Sequence, residues 1–231
     1  MERVSFKYAD SPIIFVAPHG HKSDDYNTNQ IARIAADHIG ANYLINNGWE
    51  RGKNIDENNS IADCNNVNHL VGVVEDEFLT PYKRMCIRLL KRYDECIVIF
   101  VHGVSDSVRK RTGCSNLDMI FGYGDGSPPS MTCSIAMRNK ILYELSADKL
   151  NCFVGKAGGD YSGWSKNNLN QYWRKHERRF NIESFQLEII RELRNDDIIS
   201  ELTARVIGDG VKNACNYKKF NLPMNFIISY I

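Results

Sequence analysis

Hydrophobic and polar positions fall into blocks that switch between continuous apolar runs and a three-and-four spacing. Ile13-Ile-Phe-Val-Ala17 is apolar at every position, which predicts a strand covered on both faces rather than half exposed. It ends in Pro18-His19-Gly20-His21, with Asp24 and Asp25 close behind. From Asn27 to Ile39 the positions Ile31, Ile34, Ala35 and His38 recur at helical spacing and Gly40 follows, predicting an amphipathic helix with a glycine stop. A strand over Ala41 to Ile45 comes next, so the first unit reads strand, helix, strand and predicts a parallel pair with a right-handed crossover.

Residues 46–68 break the pattern: they are rich in asparagine and poor in apolar side chains, and so long a loop in a compact domain is usually functional or disordered. Pro81 to Tyr93 predicts a helix with Met85, Cys86, Leu89, Leu90 and Tyr93 inward. It feeds the most apolar strand, Cys96 to Val101, which ends in His102-Gly103, a second strand finishing in His-Gly. A polar, basic loop over Asp106 to Arg111 leads to a short strand, Leu117 to Gly122, and a turn-rich segment, 123–130. Ile135 to Lys149 predicts a helix, Asn151 to Val154 a strand, and the glycine-rich Gly155 to Gly163 a loop. Phe185 to Ile190 reads as the last core strand, although its continuation through Arg194 also suits a helix start. Asp196 to Cys215 predicts a closing helix broken near Gly208 and Gly210, and Phe226 to Ile231 an edge strand. Strands alternating with helices define an α/β fold.

Composition narrows the partners. A chain of 231 residues with 43% hydrophobic and 25% charged residues is large enough for one sizeable core, so a single domain over 1–231 is expected. A net charge of +1 gives no field to gather nucleic acid or an acidic membrane surface. No stretch approaches the roughly 20 apolar residues of a membrane span, and the first residues carry no apolar segment of signal-peptide length. Seven cysteines, an odd number without any Cys-x-x-Cys pair, argue for reduced thiols and a cytoplasmic setting.

The candidate chemistry gathers where the two apolar strands stop. A catalytic zinc takes three ligands from His, Asp and Glu and keeps a fourth position open. His19, His102 and one aspartate, Asp24 or Asp25, make such a set if the strands are neighbours, with His21 as an alternative ligand. Each histidine alone reads more simply as a loop cap; their parallel placement is what raises the metal reading. Side chains alternate along a strand, so Gln186 and Glu188 share the face opposite Phe185, Leu187 and Ile189. In a central strand Glu188 is a buried carboxylate suited to general-base work; in an edge strand or helix it is an ordinary solvated side chain. Arg51, Arg109, Lys110 and Arg111 are candidates for a carboxylate-binding fork. Neither a phosphate-binding glycine loop nor a Gly-x-Ser-x-Gly nucleophile is present, which removes support for nucleotide and serine chemistry.

The order of Pro18-His19-Gly20, Asp25 ahead of a helix, Arg51 with Asp56-x-Asn58, His102-Gly103, Asp118 to Gly122 and Gln186-Leu187-Glu188 resembles the N-formylglutamate amidohydrolase family and the wider zinc-carboxypeptidase-like group, from about Ile13 to Arg194. The resemblance implies a phosphorylase/hydrolase-like fold with a central mixed, mostly parallel sheet wrapped by helices. It further implies one zinc ion held by His19, Asp25 and His102, with Glu188 as general base and Arg51 and Asn58 gripping a substrate carboxylate. Asn59 stands where relatives carry an arginine, and Arg109 and Arg111 are the candidates to replace it. The expected function is zinc-dependent hydrolysis of an amide bond in a small molecule or peptide bearing a carboxylate, an N-acyl amino acid or γ-glutamyl-type peptide. The competing expectation is a binding protein that keeps the fold without catalysis.

Overall fold

Asn46, at the end of the third strand, shows how this chain locks its strand ends. Its buried amide donates to the carbonyls of Pro18 at 2.8 Å and Trp49 at 2.7 Å, and its oxygen accepts from the Trp49 N–H at 2.8 Å. Those partners are turn backbone that no sheet ladder reaches, so the side chain does what a neighbouring strand does elsewhere. Its oxygen also accepts from the Gly48 N–H at 3.2 Å, so Asn46→Ala strips four bonds from a buried site and is expected to cost about 2–3 kcal/mol of stability, measured by urea unfolding; an unchanged midpoint would show that water replaces the amide.

The computed structural model describes residues 2–21, 24–55, 61–124, 126–127, 130–176 and 181–216. Its strands are β1 (Val4–Lys7), β2 (Ile13–Ala17), β3 (Asn42–Asn46), β4 (Cys96–Val104), β5 (Met119–Gly122), β6 (Cys152–Val154) and β7 (Ile182–Ile190). The helices are α1 (Thr28–Ile39), α2 (Gly72–Val74), α3 (Thr80–Tyr93), α4 (Ser107–Thr112), α5 (Ile135–Ala147), α6 (Tyr172–His176) and α7 (Asp197–Asn216), with a π turn over Glu75–Leu79 joining α2 to α3. All seven strands form one sheet in the order β1-β3-β2-β4-β7-β5-β6. The pairs β3–β2, β2–β4, β4–β7 and β5–β6 are parallel, whereas β1–β3 and β7–β5 are antiparallel. The expected mixed, mostly parallel α/β sheet is therefore observed, with β2, β4 and β7 side by side at its centre.

Two apolar layers explain why the central strands lack a polar face. Ile13, Phe15, Ala17, Ile97, Ile99, Phe185 and Leu187 pack with α1, α5 and α7 residues such as Ile31, Leu145 and Ile207. Ile14, Val16, Val98 and Phe100 turn to the other side, against Phe78, Tyr82, Met85 and Leu89 of the α3 region and against Trp49, Ala62, Cys64 and Leu169.

Several boundaries differ from the sequence reading. β4 runs on through His102 and Gly103 to Val104 because β7 pairs with it along all nine residues, from Cys96↔Ile182 to Val104↔Ile190. His102 therefore stands inside the strand, not beyond it. Asp106 to Arg111, expected as loop, includes helix α4, whose Val108 is fully buried against Leu117, Ile120 and Ile190; one apolar position per turn is too weak a periodic signal to announce it. α7 is continuous through Gly208 and Gly210. A Cβ on Gly208 would lie 3.1 Å from the Ala35 carbonyl and one on Gly210 3.1 Å from a Leu145 methyl, so these glycines serve close helix packing and do not break the helix. β1 and α6 were not anticipated, and the expected edge strand over Phe226 to Ile231 lies outside the described residues. All seven cysteines are free. Among the described residues no helix is long and apolar enough to cross a membrane.

Candidate metal centre

Parallel register brings the candidate side chains together. Val16 pairs with Phe100 and His102 pairs with Glu188, so the carboxyl ends of β2, β4 and β7 lie in a row, where open α/β sheets place their ligands. Neighbouring residues in register point to the same face. His102 continues the face of Val98 and Phe100, and Glu188 stands beside it on the next strand.

The loop after β2 returns its carboxylate to its own start. The Asp25 N–H donates to the His19 carbonyl at 3.1 Å, while the Asp25 carbonyl accepts from both the Thr28 N–H at 3.1 Å and the Thr28 hydroxyl at 2.8 Å. Asp25 is thereby fixed at the head of α1 with its side chain against both imidazoles. Its Oδ2 lies 3.5 Å from His19 Nδ1 and 3.4 Å from His102 Nδ1. The rings meet edge to face with centroids 5.1 Å apart, and all three residues are buried.

His19, Asp25 and His102 offer ligand atoms within 4.8 Å of one another. Atoms bound about 2.0–2.1 Å from a tetrahedral ion stand about 3.4 Å apart, which matches the two Nδ1–Oδ2 separations. The outer nitrogen of His19 is held as metal-ligating histidines usually are: Nε2 donates to Asp63 Oδ1 at 2.9 Å, and the same oxygen accepts from the Asn65 N–H at 2.9 Å. An ionised carboxylate only accepts, so Nε2 carries the proton and Nδ1 is the atom left for a cation. His102 Nε2 is buried and has no hydrogen-bond partner among the described residues. The residues present fit a small cation with imidazole and carboxylate ligands.

Electrostatics follow from burial and pairing. Burial alone would pull His19 down, but Asp25 and Asp63 together outweigh it and raise the imidazole to about 9. Burial would likewise raise Asp25, yet His102 and His19 hold it far below the carboxylate range. His102 is lowered, first by burial and then by the charge on His19. Glu188 is pushed up to about 8 by burial and by the Asp25 charge, against the opposing pull of His19, Arg194 and Arg51. Gln186 Nε2 fixes it, donating at 3.0 Å both to Glu188 Oε1 and to the Tyr161 carbonyl.

Of the basic candidates, Arg51 is at the site. Its guanidinium lies 3.5 Å from His19 Nδ1 and 3.5 Å from Asp24 Oδ1, and its side chain is 48% exposed. Asp24 also accepts the Arg51 N–H at 2.9 Å, so it supports Arg51 while Asp25 faces the histidines. Arg109 is committed elsewhere, with Nε on the Leu117 carbonyl at 2.8 Å and its other nitrogens on Glu192 and Asp118. Arg111 lies over the Tyr161 ring and donates to its hydroxyl. Lys110 shares the last turn of α4 with them. Asn58 lies outside the described residues. His38 pairs with Asp209 on the surface between α1 and α7.

Asp63 is the site residue that pattern reading missed. It sits between Ala62 and Cys64, both about 1% exposed, inside the asparagine-rich loop. A carboxylate flanked by two small apolar residues was the available signal. Asp63→Asn should weaken metal binding about 10–100-fold with the fold retained, as read by competition with a chromophoric chelator; an unchanged affinity would make Asp63 a loop anchor only.

No sequence model of a known family matches the chain, and no curated protein matches it by sequence. Solved structures do match by shape. N-formylglutamate amidohydrolase from Ralstonia eutropha JMP134 aligns with a TM-score of 0.56 at 13% identity, covering 92% of this chain and 99% of that one. A bacteriophage poly-gamma-glutamate hydrolase aligns with a TM-score of 0.54 at 15% identity, covering 91% and 86%. A zinc-free apo form of the protein YNDL gives 0.53 at 16% identity, covering 91% and 89%. At these identities the likeness is one of fold: the chain shares the α/β fold of these proteins.

Proposed function

We propose that this protein is a zinc-dependent hydrolase that cleaves an amide bond in a substrate bearing a carboxylate, an N-acyl amino acid or a γ-glutamyl-type peptide. The observation that carries the reading is the meeting of His19 Nδ1, His102 Nδ1 and Asp25 Oδ2 beside a buried Glu188 on the adjoining strand. Proteins of the same fold include one called an N-formylglutamate amidohydrolase, one called a poly-gamma-glutamate hydrolase and one described as a zinc-free apo form, which supports both the reaction class and the metal. His19, Asp25 and His102 hold one zinc ion per chain. When bound, the ion supplies Lewis acidity toward the scissile carbonyl and lowers the pKa of water.

The protein's own groups supply the rest. Glu188, poised near neutrality by burial, takes the proton from the attacking water and delivers it to the leaving amine nitrogen. Gln186 holds the base in that orientation. Arg51, half exposed beside His19, turns from Asp24 to pair with the substrate carboxylate, so the scissile bond is placed over the cluster. Its partial exposure and its 3.5 Å ion pair with Asp24 suit a residue that trades partners on binding. Seven free cysteines fit action in a reducing, cytoplasmic setting.

The test is metal content together with hydrolysis of a panel of N-acyl glutamates and γ-glutamyl peptides. One zinc per chain and release of amine from at least one carboxylate-bearing member are expected. A folded protein that takes up zinc but cleaves nothing would favour the binding-protein reading, and one that takes up no metal would overturn the proposal.

A further inference from the structure

Arg194 is a buried arginine, 5% exposed, whose guanidinium has no hydrogen-bonded carboxylate among the described residues. Burying such a charge is unfavourable unless its donors are satisfied. They are satisfied by backbone carbonyls from three separate segments. Nε donates to Ile189 at 2.9 Å, one terminal nitrogen to Tyr26 at 2.6 Å and the other to Val104 at 3.2 Å. Ile189 follows Glu188, Tyr26 follows Asp25, and Val104 is two residues beyond His102. One planar, rigid fork therefore ties together the backbones that carry a candidate base and two candidate ligands. The link is reinforced from the other side, where Asn27 Nδ2 donates to the Arg194 carbonyl at 2.8 Å.

Gly103 gives an independent sign that the guanidinium occupies a reserved place. A Cβ there would fall 2.4 Å from Arg194 Cζ and 2.6 Å from each terminal nitrogen. The residue after His102 has no side chain because the guanidinium lies flat against its Cα.

We infer that Arg194 is a positioning residue that sets the separation of Asp25, His102 and Glu188 by clamping the Tyr26, Val104 and Ile189 carbonyls. It touches neither substrate nor metal and acts through the backbone. A merely structural arginine at the same place would satisfy carbonyls without affecting how well the three side chains meet around a cation. The inference rests on the metal-binding reading proposed above.

The experiment titrates metal-free protein with Co2+ and Zn2+, reading affinity and the visible cobalt spectrum, with thermal midpoints recorded in parallel. Arg194→Met keeps the aliphatic stem and removes the fork; Arg194→Lys keeps the charge and loses the planar geometry; Gly103→Ala displaces the guanidinium without deleting it. Arg138→Met is the control, since Arg138 is an equally buried arginine that donates to the Tyr123 hydroxyl at 2.7 Å and to Asn139. We expect Arg194→Met and Gly103→Ala to weaken metal binding about 10–100-fold and alter the cobalt bands, with Arg194→Lys between them and wild type. Arg138→Met should lower the midpoint with affinity and spectrum unchanged. Should Arg194→Met not fold, Arg194→Lys and Gly103→Ala decide the matter by the same readouts. If wild type binds the metals and the Arg194 and Gly103 variants match its affinity and spectrum, the positioning role is overturned alone. If wild type binds neither metal, the metal reading itself fails and takes this inference with it.

Discussion

Glu188→Gln is expected to lower turnover about 10²–10⁴-fold, the usual contribution of a general acid or base, while leaving the metal bound. Glutamine is nearly isosteric, and its oxygen still accepts from Gln186 Nε2, which reaches Glu188 Oε1 at 3.0 Å. The variant thus removes the proton acceptor without opening the site. It also carries a stability signature in the opposite direction. Burial and Asp25 raise the Glu188 carboxyl to about 8, well above the range of an exposed glutamate at about 4.3. A raised folded-state pKa means that its favourable contribution is complete below the unfolded value and disappears as pH climbs through about 8. At neutral pH the metal-free fold must hold a proton on a carboxyl that the unfolded chain ionises freely, and glutamine lifts that penalty. Metal-free Glu188→Gln should be more stable than wild type at pH 7 by roughly 1–3 kcal/mol, with the gap closing toward pH 4. Full activity in the variant would remove Glu188 from the mechanism; a loss of both metal and stability would recast it as a structural group.

Zinc loading is the second large effect, and its pH dependence follows from His19. In metal-free protein the imidazole is held protonated to about 9 because Asp25 and Asp63 overcome burial. An Nδ1 proton must leave before a cation can bind there, so affinity should rise about tenfold per pH unit from about 6.5 until it levels near 9. The raised pKa has a matching consequence for stability. Its contribution to the metal-free fold is whole below about 6.5 and lost as pH rises through about 9. Asp25, with its depressed pKa, keeps its contribution throughout this window and gives it up only under strong acid. Metal-free protein thus weakens over the pH range in which zinc binds best. A stabilisation of about 4 kcal/mol is expected when free zinc exceeds the dissociation constant a thousandfold, and at fixed zinc the shift in thermal midpoint should grow between pH 6.5 and 9. His19→Ala and His102→Ala should abolish it. A zinc shift that ignores pH, or that persists in both alanine variants, would place the metal elsewhere.

Chain order alone announced much of this. Continuous apolar runs at Ile13–Ala17 and Cys96–Val101 required strands covered on both faces, and two layers of helix and loop cover them. The alternation in Phe-Gln-Leu-Glu-Ile put Gln186 and Glu188 on a shared face, and in the structure the first hydrogen-bonds the second. A histidine after each apolar run was visible without any knowledge of which strands were neighbours. These features are local: side-chain period and burial belong to a single element, and composition is enough to set them.

The rest was decided by tertiary structure. Asp25 rather than Asp24 faces the imidazoles because the loop closes onto the His19 carbonyl and Arg51 claims Asp24. Asp63 reaches His19 across 44 residues, and Arg194 reaches Tyr26 across 168. Such meetings depend on the strand order β3-β2-β4-β7, which crossover connections establish and which leaves no periodic trace in the chain. The sequence by itself determined that a histidine would follow each of two apolar runs, one standing beyond β2 and the other inside β4. Only the tertiary structure set them against one carboxylate with Glu188 alongside, because the loop after β2 closes on itself and parallel strands in register present His102 and Glu188 to the same side.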